Sequence, residues 1–189
     1  IRGTDAAKKA SDIVIKDAAE AKKIGIILKS LNYATIEESK SFARYEKEVE
    51  KGLKDALDVL IGEVFDRQTG ASFPADWIFK HSSLQTLRGK TILEKLELQI
   101  INVDALVALK FVAGRTTDIR DIFMLLPLVK DFEKLKGEIS LKVNFKERFA
   151  KIKEKITSEA FKNNLQGVYG FIDNKMFEKH KEAVIELGE

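Results

Sequence analysis

Apolar residues come first in short β-branched runs and later at helical spacing, and this change of period organises the chain. In Ser11-Asp-Ile-Val-Ile-Lys16 the β-branched Ile13, Val14 and Ile15 predict a short buried strand. Over 17–31, Ala18, Ala21, Ile24, Ile27, Leu28 and Leu31 recur at helical spacing, and Asp17 stands where it can cap the first turn. A strand feeding a helix is therefore the first unit. Residues 32–37 predict a second strand, whereas 44–54 is rich in charge and reads as a helix or a connection. Leu57-Asp-Val-Leu-Ile61 predicts a strand that places Asp58 on the face opposite Leu57 and Val59, with Gly62 ending it.

Further along, Gly70 and Pro74 predict a turn over 66–74, and Trp77 with Phe79 are expected to anchor the core. Residues 84–87 and 96–101 predict two more strands, with Gly89 marking the turn between them. From there on the helical period dominates, predicting helices over 103–112, 117–129, 144–156 and 174–187. The segment 160–170, with Gly167 and Gly170, reads as a hinge packed by Phe161, Leu165, Tyr169 and Phe171, although its polar residues could also contact a ligand. Strands early and helices late point to an α+β fold, a mixed sheet flanked by helices and followed by a helical C-terminal part. The expected division is a domain over 1–130 and a helical extension over 131–189.

Composition narrows the chemistry. A chain of 189 residues with 44% hydrophobic content can build one full core, or one with a smaller appendage. Its 33 basic and 30 acidic residues leave a formal charge of +3, a mixed surface that gives little support to non-specific nucleic-acid binding. The absence of cysteine excludes disulfides, thiolate metal sites and a cysteine nucleophile. His81 and His180 are the only histidines and lie far apart in sequence, so a histidine-rich metal site is poorly supported. His81 adjoins Ser82 and Ser83, but neighbours in a strand point to opposite faces, and it reads as a loop histidine. No apolar run is long enough to span a bilayer and no signal-peptide pattern is seen, so a cytoplasmic protein without membrane contact is expected.

Two groups of residues could carry chemistry. Asp12 and Asp58 sit on separate apolar strands, and carboxylates facing the same way on neighbouring strands can share a divalent cation; Gly3-Thr4 offers a turn that can approach a phosphate closely. The second group is the stretch Leu106-Val-Ala-Leu-Lys110-Phe-Val-Ala-Gly-Arg115-Thr-Thr-Asp118-Ile-Arg-Asp121. It suits two helices meeting at a charged corner, with Gly114 ending the first in the left-handed conformation. Such a corner could hold a triphosphate, or could be an ion-pair network and nothing more.

With these residues in view, the chain resembles the minimal nucleotidyltransferase superfamily, including its toxin-like and uncharacterised prokaryotic branches. The resemblance places Gly3 and Thr4 at the glycine turn, Asp12 at the first metal carboxylate and Asp58 at the third. Lys110, Arg115, Asp118 and Asp121 fall on the helical corner, where it implies nucleotide contacts and ion pairs. It further implies a mixed sheet of that superfamily and magnesium held by Asp12 and Asp58. The implied reaction moves a nucleoside monophosphate from a triphosphate to a protein or RNA hydroxyl, and a homodimer is compatible with it. Val14 stands where the second carboxylate of the Asp-x-Asp strand belongs. The alternative expectation is therefore a catalytically inactive member that binds nucleotide or a protein partner. In a second register Arg2-Gly-Thr-Asp5 meets the superfamily's early signal, with Asp5 as its carboxylate.

Overall fold

In the computed structural model the described residues are 10–50, 52–88 and 95–189. They form a mixed α+β structure that divides into two compact units. The first comprises Arg2–Phe65 and Ser72–Lys80, the second Asp66–Ala71 and His81–Glu189, to the extent that these residues are described.

The first unit begins with β1 (Ala10–Ile15), which runs into α1 (Ala18–Ser30). The Asp17 carboxylate accepts from the N–H groups of Ala19 and Glu20, satisfying two donors that the helix start would otherwise leave unpaired. Next come β2 (Ala34–Glu38), β3 (Phe42–Glu50) and β4 (Leu53–Ile61), which with β1 make a four-stranded sheet of order β1-β4-β3-β2. β1 and β4 are parallel, and the other two pairings are antiparallel. Ile13 and Ile15, Ala43 and Tyr45, and Leu57, Val59 and Ile61 alternate along three strands onto one face, where Leu28, Ala21 and Ile24 of α1 meet them. Burying a side chain such as Val59 there contributes about 1.5–3 kcal/mol. The same alternation sends Asp12, Arg44 and Asp58 to the other face.

The segment expected to be a helix or a connection, 44–54, is instead strand wherever it is described apart from Gly52, forming the rest of β3 up to Glu50 and the start of β4 from Leu53. Arg44, Glu46 and Glu48 take the outward positions of a strand whose inward residues Ala43 and Tyr45 are buried, while Lys47, farther along the inward side, lies over the Tyr33 ring. A short hairpin of β5 (Glu63–Phe65) and β6 (Ser72–Pro74) leads to α2 (Ala75–Lys80). Here Phe73 and Ile78 are the buried anchors, and Trp77 is half-buried with its ring 4.7 Å from that of Phe73.

The second unit holds the antiparallel pair β7 (Ser82–Arg88) and β8 (Lys95–Ile101), then a run of helices. The turn expected at Gly89 lies outside the described residues. The helices are α3 (Val103–Ala113), α4 (Thr116–Leu125), α5 (Phe132–Ser140), α6 (Phe145–Ile156), α7 (Glu159–Tyr169) and α8 (Asn174–Leu187). α4 ends earlier than expected, because Pro127 cannot supply a helical N–H; a short 3-10 turn over Leu126–Leu128 takes over. The expected hinge over 160–170 is helical up to Tyr169, and only Gly170, at φ 83°, breaks it. Phe161 and Leu165 pack inward, whereas Phe171 is 86% exposed and packs nothing. Phe123 centres the core, with Phe161, Phe177 and His180 around its ring at 5.1–5.5 Å. His180 is buried, with Nδ1 2.9 Å from the Phe123 carbonyl oxygen. No helix among the described residues is long and apolar enough to cross a membrane.

Candidate functional site

The parallel pairing of β1 with β4 sets Asp12 directly beside Asp58, and the antiparallel pairing of β4 with β3 sets Asp58 beside Arg44. Arg44 in turn pairs with Glu37 of β2. One transverse row of the sheet therefore reads Asp12, Asp58, Arg44, Glu37, all on the face away from α1. Arg44 Nη1 lies 3.3 and 3.4 Å from the two Asp58 carboxylate oxygens, and its Nε donates to Glu46 Oε1 at 3.1 Å. Glu46 also accepts from Lys54 Nζ at 3.1 Å. The hydrogen bond to Glu46 and the charge of Asp58 raise the Arg44 pKa further, while Lys54 first and Arg44 second hold Glu46 below the ordinary carboxylate value. Asp58 is the more enclosed of the two paired aspartates, its side chain 18% exposed.

Two places along β1 from Asp12, the outward position is Val14, paired with Leu60 and through it with Phe42. The next row is therefore apolar and offers no oxygen. Among the described residues no group of three or more His, Cys, Asp or Glu could hold a metal ion. Two carboxylates in one row are nevertheless the number that magnesium takes from a protein when substrate phosphates complete its shell. With Asp58 already paired to Arg44, the row does not suit a resident two-metal centre. Gly3, Thr4 and Asp5 lie outside the described residues.

The helical corner belongs to the second unit. Gly114, at φ 60°, ends α3 in the left-handed conformation, its N–H donating to the Lys110 carbonyl at 2.8 Å. Lys110 Nζ lies 2.5 Å from Asp121 Oδ2 and 3.4 Å from Asp118 Oδ1. Asp118 Oδ2 also accepts from the Arg115 N–H at 3.2 Å, capping the start of α4. The Arg115 guanidinium reaches Asp66 Oδ1 at 2.6 Å. Asp66 closes its own turn by accepting from the Thr69 N–H and hydroxyl at 2.9 and 2.8 Å. From α7, the Tyr169 hydroxyl donates to Asp121.

The corner thus gathers Lys110, Arg115, Asp118 and Asp121 as expected, and each cation is held by a carboxylate. Burial works against the charge of Lys110, yet Asp121 and Asp118 together keep its pKa raised. Burial and then Asp121 push the Tyr169 hydroxyl far above the ordinary tyrosine value. For Asp66 burial opposes ionisation, but Thr69 and Arg115 hold its carboxyl below the ordinary value.

Arg44, Glu46, Asp66 and Tyr169 were not anticipated from sequence. Asp66 three residues before Thr69 has the spacing of a local side-chain-to-backbone cap, and Ala43 with Tyr45 carried a period-two signal around Arg44. Nothing near Tyr169 points to a partner 48 residues away. A separate cavity of about 650 Å³ runs along β7 and β8, with Ser83, Gln85, Leu87, Ile101, Asn102 and Leu128 in its wall; of the residues weighed for chemistry from sequence, Ser83 lines it.

No protein-family model matches this chain, and no curated protein matches it in sequence.

Proposed function

We propose that this protein is nucleotidyltransferase-like, moving a nucleoside monophosphate from a magnesium-bound triphosphate to a protein or RNA hydroxyl. The observation that carries the reading is the register of β1 on β4, which sets Asp12 beside Asp58 on one face of the sheet. These two carboxylates would take the ion that arrives with the triphosphate. That ion would neutralise phosphate charge and lower the pKa of a bound hydroxyl. Asp12 and Asp58 orient the bound substrate, so that the chain contributes mainly positioning and electrostatics. The ion pairs of Lys110, Arg115, Asp118 and Asp121 fix the junction of α3 and α4 in the second unit, which is the role this reading keeps for them.

The test is calorimetric titration with ATP, GTP, CTP and UTP, with and without magnesium. Magnesium-dependent binding that Asp58→Ala abolishes is the expected result. Failure of the folded protein to bind any of the four would overturn the reading. One observation favours a second reading, that of a catalytically inactive nucleotide-binding or partner protein: Val14 and its apolar row leave the metal a single pair of carboxylates. Binding without transfer of labelled nucleotide to any acceptor is the outcome that reading expects.

A further inference from the structure

We infer that the ribbon of β7 and β8 is the contact surface of a two-fold homodimer, in which a second copy of the chain covers its leucine face and Asp104 of each copy meets Lys130 of the other. The surface belongs to the second unit and owes nothing to the proposed function.

The pairing register sets out the face. Ser83 lies opposite Ile100, Gln85 opposite Leu98 and Leu87 opposite Leu96, and residues so paired share one side of an antiparallel ribbon. That side carries no charge. The alternate side takes Arg88, Lys95 and Glu97 instead. Among the described residues no third strand pairs with β7 or β8, and both strands are exposed along nearly their whole length. A two-stranded ribbon is marginal in water by itself and needs a helix or further strands against its apolar side. Leu87, Leu96 and Leu98 remain 41–56% exposed there, and Leu128, at 60%, extends the apolar surface at the root of the ribbon. Neighbouring exposed leucines of this kind mark an association surface.

The cavity of about 650 Å³ at that root tells what covers it. Besides Leu87, Ile100 and Leu128, its wall includes Asp104, half-buried in the first turn of α3, and the exposed Lys130. Neither charged side chain has a hydrogen bond or an ion pair among the described residues. A carboxylate partly withdrawn from water gains from a cation beside it, and protein interfaces set opposite charges against each other. In a two-fold contact, residue i of one copy meets residue j of the other, and j meets i. A second copy therefore brings both missing partners at once, Lys130 to Asp104 and Asp104 to Lys130. It also lays one neutral leucine face on another that matches it by identity. A nucleic acid would satisfy Lys130 alone and set its phosphates against Asp104.

The test is sedimentation velocity on the full chain from about 1 to 200 µM, a range that spans weak dimers. The wild type should pass from monomer to dimer across it. Leu98→Glu should hold the protein monomeric and folded, because that side chain is already exposed in the single chain. Ile27→Glu, at a comparably exposed apolar position on α1, should leave the dimer intact. Asp104→Lys and Lys130→Glu should each weaken dimerisation by about tenfold or more, since each brings like charges together twice across the axis. Mixed in equal amounts, these two variants should form a heterodimer at the wild-type level, because every contact then pairs a lysine with a carboxylate. A pair formed within one chain would not be rescued by mixing.

A wild type that stays monomeric at every concentration overturns the inference, and the face then serves another protein or a lipid surface. A dimer that Leu98→Glu leaves intact overturns it too, as do charge variants that mixing fails to rescue. Should Leu98→Glu misfold, the mixing experiment decides alone.

Discussion

At the scale of single residues, the two clusters differ in what a substitution should reveal. Asp58→Ala removes one of two neighbouring carboxylates and leaves Arg44 with Glu46 as its remaining acceptor. It should abolish magnesium-dependent nucleotide binding while lowering stability only modestly, and calorimetry beside a melting curve reads both. Asp66 behaves differently, because its nearly buried carboxylate accepts from Thr69 twice and from Arg115. Asp66→Ala should cost about 2–3 kcal/mol in denaturant unfolding, since it strands these donors, one of them charged. Arg115→Ala should cost only about 0–1 kcal/mol, because that side chain is half-exposed and solvent screens its pair. Equal costs for the two would contradict the assignment of Asp66 as the hub. The acidic residues and the corner cations were legible in the sequence from residue type and spacing. Their partners were not, because Arg44 reaches Asp58 across 14 residues and Arg115 reaches Asp66 across 49, and short-range pattern carries no record of such pairs.

At the scale of elements, the junction of α3 and α4 depends on one backbone conformation. Gly114 lies at φ 60°, and a Cβ there would stand 2.4 Å from Arg148 Nη1 and 3.0 Å from its Cδ. Gly114→Ala should therefore destabilise the protein by about 1–2 kcal/mol from the left-handed backbone alone, with more if Arg148 cannot move aside. Thermal unfolding of Gly114→Ala beside Gly137→Ala provides the check, because Gly137 sits inside α5 with open space around it, where alanine is the better helix former. Most elements were legible because apolar period and capping residue agreed, as at Asp17 for α1 and Asn144 for α6. β3 was not, since its outward residues are charged and mask the alternation of Ala43 and Tyr45. α7 was missed for the opposite reason. Gly167 and Gly170 look like a bend, yet helix packing through Phe161 and Leu165 overrides the propensity of Gly167.

At the scale of the whole molecule, the shifted groups define how stability should vary with pH. The folded pKa of Asp66 is depressed, so its contribution is present above the unfolded value of about 3.9 and is lost as pH falls through the folded one. Lys110 and Tyr169 are raised, so theirs are complete below unfolded values of about 10.4 and 10 and are lost as pH rises toward the folded ones. Melting temperature should hold a plateau between these limits and decline on both sides. Asp66→Asn should flatten the acid side, and Tyr169→Phe should flatten the alkaline one; an alkaline decline unchanged in Tyr169→Phe would remove tyrosine from the account. The transverse row of the sheet has a consequence of another kind, for assembly itself. Were β3 to pair with β4 one place out of step, Arg44 would be driven in among Leu28 and Val59, and Tyr45 would be turned out from its place against Gly25. Such a buried, unpaired guanidinium costs several kcal/mol, so misaligned hairpins are rejected as the sheet zips up and the row acts as a proofreader of folding.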